Sequence, residues 1–397
     1  MGAYACVPMW GSEPGAGWYW AEAASQDHDV WILTPEENRD RIEACLDEFP
    51  VLREGMHPVY VAVPGWASRL RTGGNEMHLP HYLIWQRVAR QVARRLHDEV
   101  GFDVAHHVTW TVSWLPAAVT RIPGLPFVWG PVSGAMGVPR PMWRWLGWPG
   151  AAKELVREVG LPVMRLLFAR RPLRRAAMVL AQSEEFARWA RSRTSAPVVV
   201  EPVPALRGGD FERWQKQEPQ SAAELRTAVF AARFSAWKGL RLVVAAMARP
   251  EATGWRLEVY GDGREEPRAR ALVAKLGVED RVHFRGRVPR RHLDEVIAQA
   301  DAFIQPSFHD APPFVVAEAL SIGCPIVCLD VGGPAALVGP GEGVKVPVER
   351  DLAGALARGL AGAPTRFAPS TRWHMERLPE RMATWYAEAL RSAARTA

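Results

Sequence analysis

Residues 308–325, FHDAPPFVVAEALSIGCP, carry two carboxylates in unlike settings. Asp310 stands in a polar turn, while Glu318 stands eight positions on among Val315, Val316, Ala317, Ala319 and Leu320. Pro312 and Pro313 suit the first turn of a helix, where no N–H is needed, so the spacing predicts Glu318 inside a helix and Asp310 just ahead of it. Both carboxylates then edge one pocket. A simpler reading makes Asp310 part of the helix cap and Glu318 a solvated charge. An unpartnered carboxylate in apolar surroundings is costly, however. Glu318 calls for hydrogen-bond donors, and sugar hydroxyls would supply them.

Further upstream, ARFSAWKG sets Arg233 and Lys238 on a turn between an expected strand at 228–232 and an expected helix at 240–248. Two cations beside a helix N-terminus make an anion site, because unpaired N–H groups and the helix dipole add to the side-chain charge. Alone, they read more simply as two solvated loop cations. In FRGRVPR, Gly286, Arg287 and Val288 leave a strand and offer main-chain groups to a flat heterocycle. In DVGGPAALV, Gly332 and Gly333 precede another helix start and suit a second phosphate. VYGDGRE adds a Gly-x-Gly turn, a weak motif by itself. All five features follow expected strands, where a doubly wound sheet binds its ligands.

The elements that must position these residues are legible as β-branched or aromatic runs alternating with amphipathic helical stretches, the pattern of parallel strands joined by crossover helices. Strands are expected at 3–8, 30–34, 59–63, 104–109, 127–130, 177–182 and 198–202. The clearest helix is 82–99, with apolar positions at Leu83, Val88, Val92 and Leu96. Residues 205–220, ALRGGDFERWQKQEPQ, lose all apolar period and read as a linker. A second series follows at 228–232, 256–261, 282–285, 302–305, 325–328 and 343–346. The reading is two doubly wound α/β domains, 1–204 and 221–366, with ligand sites at the strand carboxyl ends and in a cleft. Residues 367–397 are read as a helix pair that packs back on the first domain.

A chain of 397 residues is too long for one ordinary core. It is 48% hydrophobic and 23% charged, a globular composition. Five of its 49 basic residues are lysine, an arginine bias that we read as genome composition rather than binding. Residues 122–139 are charge-free but hold four prolines and four glycines, which excludes a spanning helix. MGAYACVPMW lacks a basic region and a long apolar stretch, so no secretory signal is read there. Four scattered cysteines point to a reducing compartment, hence a cytoplasmic protein. The basic, Trp-bearing region 142–175 suits an anionic membrane face at the inner side, the acceptor side of a site, or a helix pair that solvates its arginines. No nucleic-acid reading motif accompanies the basic residues.

In combination, ARFSAWKG, GDG, FRGRVP, PSFHDAPPFVVAEAL and GCPIVCLDVGG resemble the retaining nucleotide-sugar glycosyltransferases of family GT4, densely over residues 228–340. YACVPMWGSEPGAGW and FDVAHHVTW with PFVWGPVSG are similar to a bacterial subgroup. The resemblance implies the GT-B fold, two Rossmann-like domains facing across a cleft. It implies that Arg233 and Lys238 neutralise the departing diphosphate and that Gly286, Arg287 and Val288 contact the base. Glu318 would hold the ribose, Gly332 and Gly333 a phosphate, and Asp310 the donor sugar, with Ala311 and Phe314 in the same loop. His106, or less directly His107, matches a family histidine near the sugar; by itself, a histidine on a buried strand reads as core. Gly11, Gly15 and Gly17 would form a loop near diphosphate and acceptor, with Glu13 an acceptor contact. Two departures stand out: Asp310 replaces the usual Glu, and Pro312 and Pro313 lack amides that commonly donate to the sugar. Met1 falls almost inside the first strand, which predicts a few residues further upstream.

The chemistry implied is displacement of a nucleoside diphosphate, a UDP-sugar by first choice, with retention at the anomeric carbon, onto a small natural product or a glycan or lipid-linked precursor. Preorganised cations and helix termini meet its main electrostatic demand, and no metal is expected. The Asp27-His28-Asp29 triplet precedes a strand and so lies at the wrong end of the sheet for a catalytic metal. Two other readings remain open: a same-fold nucleotide-sugar isomerase, and a non-catalytic nucleotide-sugar-binding protein.

Overall fold

The computed structural model describes residues 1–70, 78–134, 137–212, 214 and 225–396. The chain forms two compact units. One comprises Met1–Ala135, Pro162–Ala205 and His374–Ala397; the other comprises Met136–Leu161 and Leu206–Trp373. Part of the expected linker, 215–220, lies outside the described residues.

In the first unit, β1 (Val30–Pro35) pairs in parallel with β2 (Met56–Val61), and β3 (Ala105–His107), β4 (Phe127–Val132), β5 (Ala176–Ala181) and β6 (Val198–Val200) form a second parallel set in that order. Gly2 bridges to both Leu33 and His107 and joins the two sets. In place of the strand expected at 3–8 there is thus a single bridging residue, Gly2, just ahead of it. Amides of that stretch are drawn off the sheet: Ala5 donates to Thr109 Oγ1 at 3.0 Å and Val7 to the Pro14 carbonyl at 2.9 Å. The Leu79–Val100 helix presents Tyr82, Trp85, Ala89 and Ala93 to the core, a 3–4 spacing that fits one helical face. Gly101, at φ 76°, ends it.

The C-terminal segment is a short 3₁₀ turn, Met375–Arg377, followed by one helix, Leu378–Thr396, rather than a helix pair. It belongs to the first unit. Leu378, Met382, Trp385 and Ala389 are its buried stripe, Trp385 stacks on Trp20, and Arg381 bonds Glu201 at 2.6 Å.

The second unit holds β7 (Arg226–Ala231), β8 (Trp255–Tyr260), β9 (Val282–Gly286), β10 (Ala302–Gln305), β11 (Ile326–Leu329) and β12 (Gly343–Val346). All pair in parallel in the order β12-β11-β10-β7-β8-β9, so the winding reverses between β10 and β7. One excursion departs from the boundary expected at 204. Residues 137–161 belong to this unit because Val138, Met142 and Leu146 are buried in its core. Trp143 Nε1 donates to the Val138 carbonyl at 2.8 Å and Arg144 to the Arg350 carbonyl at 2.8 Å, which fixes the start of Trp143–Met164, a helical stretch that Gly147, at φ 71°, breaks into a short first piece and a longer second one. Among the described residues, no helix is long and apolar enough to cross a membrane.

Candidate functional site

At the carboxyl edge of the second sheet, the loops after β7, β8, β9, β10 and β11 are tied into one rim. Phe234 N–H donates to the Asp262 carbonyl at 2.6 Å, and Gly261 N–H to the Gly286 carbonyl at 2.8 Å. Phe308 N–H donates to the Trp237 carbonyl at 2.8 Å, and Gly333 N–H to the Asp310 carbonyl at 2.9 Å. Gly261, at φ 124°, allows the closest of these approaches, since a Cβ there would sit 1.9 Å from the Ala232 carbonyl oxygen.

Lys238 ends a 3₁₀ turn ahead of Gly239, whose φ of 83° turns the chain into the Leu240–Met247 helix. Its ammonium pairs with the Asp310 carboxylate, and both side chains are largely buried. Burial pushes the Asp310 carboxyl above its ordinary range, while Lys238, the Ser307 hydroxyl and the Ala311 N–H pull it back. Lys238 also lies 4.3 Å from the centre of the Trp237 ring. Arg233 lies exposed on the same loop.

Glu318 is buried in the middle of the Phe314–Ile322 helix. One oxygen pairs with Arg290, whose Nε also bonds Asp294 at 3.1 Å. The other, Oε2, is buried with no hydrogen-bond partner among the described residues. An unsatisfied carboxylate oxygen held in place is what a ligand hydroxyl would complete. The helix begins at Phe314, one residue past Pro313, so the prolines precede the first turn rather than form it. Phe314 and Val315 then supply the helix's leading N–H groups. Ala311 is exposed beside them.

Gly286, at φ 73°, Arg287 and Val288 leave β9 as expected, with Arg287 exposed and 3.8 Å from Asp262. Gly332 and Gly333 do open a helix, but Gly333 has a structural task. Its amide is bound to Asp310, and a Cβ on it would fall 2.2 Å from Ala311 and Pro312 atoms. Of this pair, only Gly332 keeps the expected freedom.

The first-unit candidates are placed differently from expectation. Gly11 caps the Ser12–Ala24 helix, and Gly15 and Gly17 lie inside that helix rather than in a loop. Each admits backbone instead of ligand: a Cβ at 15 would meet the Trp10 carbonyl at 1.8 Å, and one at 17 the Ala5 carbonyl at 2.0 Å. Glu13 accepts the Trp110 N–H at 2.6 Å, and burial pushes its carboxyl up. His106 is a core residue, not one turned outward at a strand end. Its ring nitrogens meet the Tyr386 hydroxyl and the Gly130 carbonyl, each at 2.8 Å, and it shares a cavity of about 520 Å³ with Asp27, His28, Asp29 and the C-terminal helix. His107 points to the Tyr82 hydroxyl. Burial pushes both imidazoles down to about 3, so they are neutral.

Four residues were invisible to sequence reasoning. Arg290 and Trp237 are ordinary surface types until the fold sets them against Glu318 and Lys238. His309 lies 5.2 Å from the Trp237 ring, and its Nδ1 is buried without a hydrogen-bond partner among the described residues. Burial first, then the charges of Arg157 and Lys238, push it down to about 4. Arg157 arrives from the excursion, which no periodicity linked to this rim. A cavity of about 650 Å³ in the second unit, between Arg226, Arg256, Glu258, Arg285 and His292, includes only Val288 of the candidates. The candidate groups line open loops instead.

Two doubly wound parallel sheets in tandem are the architecture of the GT-B fold. Over 95% of its length the chain matches 97% of Anabaena HepE, solved with UDP and glucose, at a TM-score of 0.53 and 16% identity, which speaks to fold alone. Residues 211–367 match the family model for Glycosyl transferases group 1. It is 37% identical to an exopolysaccharide phosphotransferase of Streptomyces coelicolor over 35% of this chain and 15% of that protein. It is 31% identical to the 2-deoxystreptamine glucosyltransferase of Streptomyces kanamyceticus over 28% of this chain and 32% of that protein. The chain thus spans under a third of the length of these curated relatives.

Proposed function

We propose that this protein is a retaining glycosyltransferase of the cytoplasm that moves a sugar from a nucleoside diphosphate donor, a UDP-sugar by first choice, to a hydroxyl of a small natural product or glycan precursor. The observation that carries the reading is the rim on which Lys238–Asp310 and Arg290–Glu318 are both preassembled. Arg233 and Lys238 stabilise charge on the departing diphosphate, which preorganised cations in a partly dry setting do well. Glu318 offers its unsatisfied oxygen to the ribose, and the loop 286–288 takes the base. Asp310 orients the sugar and holds Lys238 until the phosphate arrives. The N–H groups of Phe314 and Val315 stand in for the amides lost at Pro312 and Pro313. The reading assigns charge neutralisation to side chains and no role to a metal, so a chelator should leave turnover unchanged. UDP bound to HepE and the names of the group 1 relatives support the donor and acceptor classes.

The test is a panel of nucleotide sugars with polyhydroxylated acceptors, preceded by calorimetry with UDP, GDP, ADP and TDP. Acceptor-dependent release of one diphosphate supports transfer. A rearranged nucleotide sugar without acceptor consumption, or binding without turnover, overturns it.

A further inference from the structure

Behind Asp310, the carboxyl end of β10 carries two further polar side chains that diphosphate and ribose binding leave without a task. Gln305 ends the strand beside Cys328 of β11, and Ser307 follows in the turn; both are buried. Gln305 Nε2 donates to Ser307 Oγ at 2.9 Å, and the Ser307 hydroxyl bonds the Asp310 carboxylate. A serine has one proton to give. Because its oxygen already accepts from Gln305, that proton goes to Asp310. The opposite orientation of the amide would draw the proton to Gln305 and leave Asp310 one donor short. The orientation has a cost, since Gln305 Oε1 is buried with no hydrogen-bond partner among the described residues. An orphaned oxygen at the end of a core strand calls for an explanation outside stability.

We infer that Gln305 and Ser307 are positioning residues for sugar transfer: Gln305 turns the Ser307 hydroxyl toward Asp310, and Ser307 holds that carboxylate as an anion when Lys238 turns to the phosphate. What Asp310 does rests on the glycosyl-transfer reading; how it is held rests on the hydrogen bonds alone. The charge facing Asp310 among the described residues is Lys238, from the loop after β7. His309 beside it is neutral, and the helix at 332–337 meets it through the Gly333 N–H on the Asp310 carbonyl. A diphosphate that draws Lys238 away therefore leaves a buried carboxylate without its counter-charge, which is costly unless other donors remain. Ser307, with the Ala311 N–H, is what remains.

Carbon-13 titration of the aspartate carboxyls in the full chain, with Asp310 identified by its loss in Asp310→Asn, reads the midpoint directly. Ser307→Ala should raise that midpoint by about one pH unit, because a donor to the charged form is lost, and Gln305→Met should raise it by less. Ser307→Thr keeps the hydroxyl and should restore the parent value. With nucleotide sugar and acceptor, the acid limb of kcat/KM should move up with the midpoint in each variant. Gln305→Met should melt no lower than the parent protein, since it removes the orphaned oxygen. A midpoint that stays in place in Ser307→Ala, or a lower melting temperature of Gln305→Met with its midpoint unmoved, overturns the inference. Midpoints that move while the parent protein transfers no sugar would overturn the transfer reading instead and leave the hydrogen-bond arrangement standing.

Discussion

Lys238 and Glu318 are each held by an opposite charge before any ligand arrives, and that preorganisation sets what their removal should do. Lys238→Ala and Arg233→Ala should each lower kcat by about a hundredfold or more, the scale of losing one oxyanion-type donor. Normal rates in both would remove the diphosphate role. Glu318→Ala should act on UDP affinity instead, by about tenfold to a hundredfold in calorimetry, because a charge-assisted hydrogen bond is lost in ground and transition state alike. Arg290→Met should weaken UDP in the same direction by unfixing Glu318; unchanged affinity would make Arg290 a bystander. His309 allows a pH test with a definite sign. Its folded value of about 4 is below its ordinary 6.5, so its contribution is present above 6.5 and lost as pH falls toward 4. His309→Gln should therefore gain on the parent protein by about 1–2 kcal/mol in urea unfolding between pH 7 and pH 5. A constant gap would show that the imidazole is not neutral in the fold. Glu201, pushed up to about 7, titrates with the opposite sign, which is why the variant difference rather than the parent profile is diagnostic.

The elements explain why glycines that read as a ligand loop turn out to be packing devices. The Ser12–Ala24 helix lies against the 5–10 segment so closely that its glycines at 15 and 17 have no room for a methyl group. Gly17→Ala should cost about 1–3 kcal/mol, the range for overpacking a tight contact, measured by urea unfolding. A neutral effect would mean the helix can slide outward. Glu13 binds the same helix to the Trp110 amide, which spends the carboxylate that the sequence offered to an acceptor. On the second sheet the reverse holds. The loops there are tied by main-chain bonds, and this leaves Arg233 and the exposed side chains of 287 and 311 available to a ligand.

At the scale of the whole molecule, the chain crosses between units four times, and both short returns are structural. The last helix completes the first unit through Met382, Trp385 and Ala389, and its Tyr386 hydroxyl satisfies His106. Truncation before His374 should therefore expose the Trp20 and His106 side of the first sheet. Limited proteolysis should cut within residues 1–134 while sparing 225–373. Equal resistance of both segments would show that the helix is dispensable. The excursion at 137–161 does the same for the second unit, with the addition that it carries Arg157 toward His309.

Parallel pairing, the two-series architecture and the expected strands other than that at 3–8 were legible because each depends on local runs of β-branched residues and on crossover helices between them. The placement of Asp310 just ahead of a helix that carries Glu318 in apolar surroundings also followed from residue type and spacing, whereas its pairing with Lys238 did not. Folding alone settled which histidine nitrogens are satisfied, which glycines admit backbone, and where residues 137–161 and 374–396 pack. Such outcomes turn on contacts between elements, in the extreme between segments 280 positions apart as with His106 and Tyr386, and no local periodicity encodes a contact of that kind.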